Sequence, residues 1–376
     1  MKRARGLVAQ GWLGLSMALA LAGCGGGSSN DTPAAVRYSL EPAMPSGSTE
    51  ITGVRGVTGS PDVYLTGINQ DGSNYALLYQ GPIQMTSASQ WNRIGPTKCI
   101  VTTTSNCEQS SGLNFYGPNN GSAPGNVVVV GNYNLPNDRF PYGLLYRGDV
   151  AGNGTYSKID PSSLLSMPSE LKYTIAHSNM NGVVVGNYAK SDAVGHAFIM
   201  AIGSTPDNPS TYSYYEIPYS LVDGAISMTA YGIWYNTDRQ NYTIVGGYSK
   251  VDNKGIATGY IVDWNPQNPA GQQFSNFTSV YFNNDPTSSR VTHFEGITTD
   301  DAGGYYLATD WSSSSAAPEG AALVQIKRNI NGSFTTPTWT MLAYPGASVT
   351  SANTVYRKNV LGVFGFPVTP YLAIVP

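Results

Sequence analysis

Six short stretches of the 376-residue chain read as copies of a single β-strand: Val63–Gln70, Val127–Tyr133, Gly182–Tyr188, Tyr242–Tyr248, Tyr305–Trp311 and Asn359–Phe366. Aligned on the glycine of Val-Gly-Asn-Tyr, they put Gly67, Gly131, Gly186, Gly246, Thr309 and Gly365 in register, at spacings of 64, 55, 60, 63 and 56 residues. A period of that length, filled with short apolar runs and turn residues, points to radially repeated β-structure. Each copy resolves into four runs. The first runs are Glu50–Gly59, Ser111–Gly121, Tyr173–Gly182, Met228–Asn236, Thr292–Asp300 and Val349–Asn359, and the stretches above are the second runs. The third are Tyr75–Gly81, Tyr142–Asp149, His196–Gly203, Thr258–Asn265, Ala321–Arg328 and Tyr371–Pro376. Their β-branched and aromatic content, bounded by Gly, Asn, Pro and Asp, is that of half-buried strands.

Fourth runs follow only five of these: Gln90–Pro96, Thr155–Pro161, Tyr212–Pro218, Phe277–Asn283 and Thr338–Pro345. The sequence supplies a sixth at its other end, where Val36–Pro42 has the same build as Tyr212–Pro218. The expectation is an all-β, six-bladed β-propeller of four-stranded blades over residues 36–376, closed by Val36–Pro42 completing the last blade. Closure of this kind removes open sheet edges, which a linear array would have to cap. No long helix is expected; Pro161–Leu171 has room for a turn or two.

The first residues read as a targeting segment. Lys2, Arg3 and Arg5 precede a mostly apolar, uncharged Leu7–Ala22, and Leu21-Ala22-Gly23-Cys24 resembles a bacterial lipobox. That resemblance implies a signal peptide over 1–23, lipid on Cys24, a flexible Gly/Ser tether over 24–35 and anchoring at the outer membrane, on the periplasmic face or the cell surface. No second apolar stretch approaches the 18 residues of a membrane span. Cys99 and Cys107 then remain together in a Thr/Ser/Asn-rich stretch, Lys98–Ser111. In an oxidising compartment a local disulfide is the natural reading; metal binding is the alternative, but no histidine stands near. The stretch is expected to be a loop on the ligand-binding face.

The repeat units themselves resemble the HAF-type extracellular repeat, through Gly67-Ile68-Asn69, Val184-Val185-Gly186 and His196-Ala197-Phe198-Ile199. The resemblance implies a secreted β-repeat protein and no particular activity.

Charged residues make up 11% of the chain, and loss of residues 1–23 leaves 17 Lys and Arg against 23 Asp and Glu, a balance of −6. Nucleic acid is therefore not an expected partner. Candidate chemistry reduces to the first runs, which lie nearest a propeller's axis. Arg55, His177, Tyr231, His293 and Glu295 are the candidates to line the channel as ligand-binding or acid/base groups, or as isolated polar residues that fix their strands. No His-Glu-x-x-His cluster, Gly-x-Ser-x-Gly elbow or sialidase Asp box is present, so no catalytic residue, metal or cofactor is assigned. Asp71-Gly72, Asp252-Asn253 and Asp300-Asp301 read as turns rather than calcium loops. The 26 tyrosines and 6 tryptophans serve either as packing between blades or as stacking platforms for sugars and protein partners. Three functions follow: a lipid-anchored recognition module for a protein or glycan; an envelope carbohydrate-active enzyme using Glu295 with an Asp or His; and a structural scaffold marked by a large exposed apolar patch.

Overall fold

The computed structural model describes residues 35–40, 44–45, 48–69, 74–103, 105–190, 194–250, 257–312, 320–365 and 368–376. Cys24 and most of its tether, Glu41-Pro42, and the Asp71-Gly72 and Asp252-Asn253 turns lie outside them.

Six sheets, each built on four antiparallel radial strands, make the propeller. Blade 1 is Ser48–Gly56, Val63–Asn69, Ala76–Gly81 and Trp91–Ile94. Blade 3 is Tyr173–Met180, Val183–Ala189, Gly195–Ala201 and Ser213–Glu216, and blade 4 is Ala225–Asn236, Asn241–Lys250, Ala257–Trp264 and Phe274–Val280. Blade 5 is Val291–Thr299, Tyr305–Ser312, Gly320–Ile326 and Thr338–Leu342. Blade 6 takes three strands from the end of the chain, Thr350–Tyr356, Asn359–Phe364 and Thr369–Ile374, and its outer strand from Arg37–Leu40, which pairs antiparallel with Tyr371–Ile374. Among the described residues the helical segments are short 3₁₀ turns, two of them at Pro161–Leu164 and Pro168–Glu170.

Blade 2 differs. Its strands Gly112–Asn120, Asn126–Asn134, Tyr142–Asp149 and Gly154–Ile159 are extended by a hairpin, Cys99–Thr103 and Asn106–Gln109, whose first strand runs parallel to Gly154–Ile159. The Cys99–Cys107 disulfide ties that hairpin, with Cα atoms 5.4 Å apart. The expected binding-face loop is thus an outer edge of the sheet. Ile100 is buried and pairs with Tyr156, and Tyr133 donates its hydroxyl to Glu108, so the hairpin packs on the blade instead of standing over a mouth.

The core is divided into layers. Six apolar clusters each join two neighbouring blades, and one of them brings Leu361 and Leu372 of blade 6 against Ile51 and Leu65 of blade 1, so the circle is continuous. A second strand such as Val183–Ala189 is buried on both faces along its length, because each face meets a different blade. That accounts for runs like Val-Val-Val-Gly, in which apolar residues do not alternate with polar ones. Much of the tyrosine content is spent here: Tyr64, Tyr79, Tyr133, Tyr146, Tyr188, Tyr260 and Tyr371 are fully buried between blades.

Candidate functional site

On each innermost strand the pairing register slips at one shared place. The slips fall between Ile51 and Gly53, Phe115 and Gly117, Ala176 and Ser178, Ala230 and Gly232, Phe294 and Gly296, and Ala352 and Thr354. A β-bulge leaves one residue unpaired and re-aims its side chain. The residues left over are Thr52, Tyr116, His177, Tyr231, Glu295 and Asn353, one per blade.

These six make a ring at the axis. The His177 ring lies 5.4 Å from that of Tyr116 and 4.2 Å from that of Tyr231, centroid to centroid. Thr52 Oγ1 donates to the Phe115 carbonyl at 2.5 Å, and Asn353 Nδ2 donates to Glu50 Oε1 and the Ile51 carbonyl, each at 2.9 Å. Thr52, Tyr116, His177, Tyr231 and Glu295 help to enclose a cavity of ≈ 20 Å³, room for about one water molecule.

Two rows of small residues follow from the bulge. Opposite it on the second strand stand Gly67, Gly131, Gly186, Gly246, Thr309 and Gly362. The bulged strand leans a carbonyl over this position: a Cβ on Gly131, Gly186, Gly246 or Gly362 would fall within 3.0 Å of the oxygen of Asn114, Ile175, Thr229 or Ser351. The sequence alignment placed Gly365 in this row. The pairing places Gly362 there, and Gly365 lies in the turn beyond the strand at φ 69°. Just past the bulge, Gly53, Gly117, Gly232, Gly296, Ser178 and Thr354 form the throat, where backbones of adjacent blades nearly touch; a Cβ on Gly53 would strike the Tyr116 carbonyl, and one on Gly117 that of His177.

Above the throat the mouth is polar. His293, two residues before its bulge, pairs through Nε2 with Glu295 Oε1, and these side chains are 27% and 22% exposed, so solvent reaches them. Burial lowers the affinity of His293 for a proton, but the Glu295 charge and hydrogen bond outweigh it and raise the pKa to about 9, leaving an imidazolium–carboxylate pair at neutral pH. His177 goes the other way: burial pushes it down to about 4 against the opposing pull of Glu295, so it is a neutral ring whose Nε2 donates to Asn187 Oδ1 at 2.6 Å. Burial, then the charge of Glu295, raises Asp310 to about 7, while Ala352 N–H (2.5 Å) and Ser351 Oγ (2.8 Å) favour its charged form. Burial also raises the Tyr116 phenol to about 12 and that of Tyr231 higher still, so both are neutral donors.

Below the throat, Arg55 reaches across the axis to the opposite blade. Its guanidinium stacks 5.1 Å from the Trp234 ring, it is 8% exposed, its Nε has no hydrogen-bond partner, and desolvation lowers it to about 10. With Thr52, Tyr116, His177, Tyr231 and Glu295 it lines the small axial cavity.

The structure therefore brings Arg55, His177, Tyr231 and Glu295 to one small axial cavity, with His293 paired to Glu295 beside it, and leaves Cys99 and Cys107 at the outer rim of blade 2. His196 lies away from the axis, with Nδ1 2.9 Å from Glu216 Oε1. Thr52, Tyr116 and Asn353 complete the ring without having been singled out in the sequence, and Asp310, opposite His293 on the second strand of blade 5, adds a buried acid. Their signal was present: Thr52-Gly53, Tyr116-Gly117, His177-Ser178, Tyr231-Gly232, Glu295-Gly296 and Asn353-Thr354 repeat a variable residue before a small one in every first run. No metal-ligating cluster of three or more His, Cys, Asp or Glu side chains occurs among the described residues. Asp300 is a turn residue, its Oδ1 accepting from the Ala302 and Gly304 amides.

No protein-family model matches the chain, and no curated protein matches it in sequence. Its fold is similar to that in a crystal structure of a protein of unknown function from Dyadobacter fermentans DSM 18053, at 12% identity and a TM-score of 0.53, covering 90% of this chain and 98% of that one. An α-L-arabinofuranosidase from Lactobacillus brevis aligns at 9% identity and a TM-score of 0.46, over 78% of this chain and 93% of that one. A fucose-specific lectin from Aleuria aurantia aligns at 10% and 0.41, over 88% and 92%. The first likeness is one of fold alone, and the other two are too remote to inform function.

Proposed function

We propose that this protein is a recognition module of the cell envelope, exported and held by lipid on Cys24, that binds a glycan end through its axial mouth. The observation that carries the reading is the bulge ring. Six blades place six side chains, polar or aromatic, at one equivalent position, and because the space they enclose is only ≈ 20 Å³, they meet the end of a hydroxylated ligand seated at the rim and do not surround it. Neutral Tyr and His rings offer faces and donors, while Glu50, Glu295 and Asn353 offer acceptors. The Lys2–Cys24 pattern and the Cys99–Cys107 disulfide support export to an oxidising compartment.

A glycosidase reading is less well supported. A general base needs a free carboxylate and a general acid must reach the substrate, but Glu295 is committed to the His293 imidazolium, and Asp310, although raised to about 7, is buried and tied to Ala352 N–H and Ser351 Oγ. A scaffold role needs a contiguous apolar patch; the exposed large hydrophobics among the described residues are only four, Met167 in the link between blades 2 and 3, Ile226 in blade 4, and Ile330 and Met341 in blade 5.

The test is a glycan array probed with the detergent-solubilised full-length chain. Saturable binding that falls at least tenfold in Glu295→Gln or Tyr231→Ala, with unchanged melting, supports the mouth as the site. Turnover of a bound glycan that Glu295→Gln abolishes would replace recognition with catalysis.

A further inference from the structure

A cavity of ≈ 340 Å³ opens between blades 4 and 5, against ≈ 20 Å³ at the axis. The axial space takes about one water molecule, whereas this one reaches the size of small-ligand pockets and has room for a sugar ring. Its wall is the link of residues 281–290, which carries the chain from the outer strand of blade 4 to the inner strand of blade 5. That link is already fixed. Asp285 Oδ1 accepts from the amide and the hydroxyl of Thr287, at 2.9 and 2.6 Å, and the Ser288 amide donates to the Asp285 carbonyl at 3.0 Å. Asn284 ties it to blade 5, donating to the Pro337 carbonyl at 3.0 Å and accepting from Trp339 Nε1 at 3.2 Å. A ligand docking on this wall therefore has little chain to order.

The lining is amphipathic and carries no spare charge. No Asp or Glu lines it among the described residues, and its two cations, Lys250 and Arg290, are both engaged by other groups of the protein. The Arg290 guanidinium also lies 5.1 Å from the Phe282 ring and 4.7 Å from that of Trp311. A charged ligand would lose its hydration here without gaining a free counter-charge. Phe282 is covered by Trp311 and Trp339, with centroids 5.0 and 5.6 Å away, but no aromatic ring lies on Tyr281 among the described residues. Tyr281 is half-buried, and its hydroxyl is bonded to that of Tyr248, which fixes the ring at the pocket wall. Pro286, exposed, adds apolar surface, and Ser289, also exposed, adds a hydroxyl that can donate and accept. Ser288 Oγ accepts the Arg290 amide at 3.2 Å and keeps its own proton to donate.

We infer that the blade 4–5 pocket binds a neutral sugar ring, its C–H face on Tyr281 and its hydroxyls on Ser288 and Ser289. A pyranose is apolar on its face and polar around its rim, which matches a pocket with one free aromatic surface bordered by hydroxyls. The inference extends the glycan reading to a second point of contact, but the residues that carry it are the pocket's own and do not need the axial mouth to bind.

Titration calorimetry with the detergent-solubilised full-length chain tests it. The probes are a panel of neutral tetrasaccharides of glucose, galactose, mannose and xylose, with tetragalacturonate and indole as charged and purely aromatic controls. The expected result is saturable binding of at least one neutral tetrasaccharide, tenfold or more tighter than of either control. Tyr281→Ala should weaken it at least tenfold, while Tyr281→Phe, which keeps the ring, should stay within threefold of wild type. Because Tyr281 also packs, Ser289→Trp is measured beside it: it fills the pocket from an exposed position and should cost at least tenfold in affinity with an unchanged melting temperature. Glu295→Gln should leave this binding within threefold. Absence of saturable binding across the neutral panel, equal or tighter binding of indole or of the uronate, or indifference to both Tyr281→Ala and Ser289→Trp overturns the inference. Binding that Glu295→Gln abolishes also overturns it, and assigns the sugar to the mouth.

Discussion

Thr309 donates its hydroxyl to the carbonyl of His293 at 2.6 Å, at the one position of the inner ring where the other five blades carry glycine. The two solutions answer one problem. A bulge in the first strand tips a carbonyl over the second, and the second must either vacate the space or offer that oxygen a donor. Blade 5 offers the donor, and blade 5 is also where the His293–Glu295 pair stands.

Gly131→Ala and Gly246→Ala should therefore each cost about 2–4 kcal/mol, because the new methyl meets backbone that cannot rotate away. Gly182→Ala is the control: its φ of 77° strains an L-residue, but nothing lies within 4 Å, so about 1 kcal/mol is expected. Thr309→Gly should lose about 1–2 kcal/mol through the hydrogen bond and added chain entropy. Urea midpoints at constant m-value measure all four; equal costs for Gly131→Ala and Gly182→Ala would refute the crowding.

The His293–Glu295 pair should make stability depend on pH on the alkaline side. The pKa of His293 rises from 6.5 unfolded to about 9 folded, so its contribution is complete below pH 6.5 and is lost as pH climbs through 9. Given a side chain about a quarter exposed, the amount is roughly 1–3 kcal/mol. His177 acts in the opposite sense on the acid side: with a folded pKa of about 4, it withdraws stability as pH falls from 6.5 towards 4. Melting temperatures of wild type and His293→Gln between pH 6 and 10 should converge at the top of that range. Parallel curves would show that the pair does not titrate this way.

A buried ion pair at the blade 4–5 contact carries a larger load. Arg328 and Asp263 are 3% and 1% exposed in their side chains, and Asp263 is further bound by Thr243 and Asn276, each at 2.8 Å. Arg328→Met leaves that carboxylate buried and unpaired, at a cost of about 3–5 kcal/mol. Adding Asp263→Asn should return part of the loss, since no charge remains to desolvate. A double variant worse than the single one would contradict this account.

Arg55 is the converse case, a buried cation with no carboxylate paired to it among the described residues. Arg55→Met keeps the volume over Trp234 and removes the desolvation cost, so denaturation should show a change within about 1 kcal/mol of zero, or a gain. A loss above about 2 kcal/mol would mean that the guanidinium contributes through contacts the neutral side chain cannot make.

Reduction of Cys99–Cys107 should act locally. The hairpin's backbone ladder to blade 2 has two residue pairs among the described residues, Tyr156 with Ile100 and Ser157 with Val101, beside the Tyr133–Glu108 hydrogen bond and the buried Ile100. Hydrogen exchange after reduction should rise at Ile100 and Val101 and stay low at Val129 and Val130 in the inner sheet; exchange spreading inward would show that the hairpin supports the blade.

The sequence by itself determined the number of blades and the strands within them. Short apolar runs between turn residues are local patterns, and six copies at a near-constant period fit a ring in which each face is covered by a neighbour. The residues around the axis were legible only in part. His177, Tyr231, His293 and Glu295 stood out as rare polar residues in first runs, while Thr52, Tyr116 and Asn353 look like ordinary strand residues until a bulge at the same place in each blade turns them inward. Whether an extra residue is absorbed as a bulge depends on the partner strand and on the next blade's carbonyl, neither of which is local in the chain. The same holds for the Cys99–Cys107 hairpin, which composition marks as a loop and the free edge of Gly154–Ile159 recruits as sheet. The opposed proton affinities of His177 and His293 are decided by burial and by the nearness of Glu295, and only the closed ring sets both.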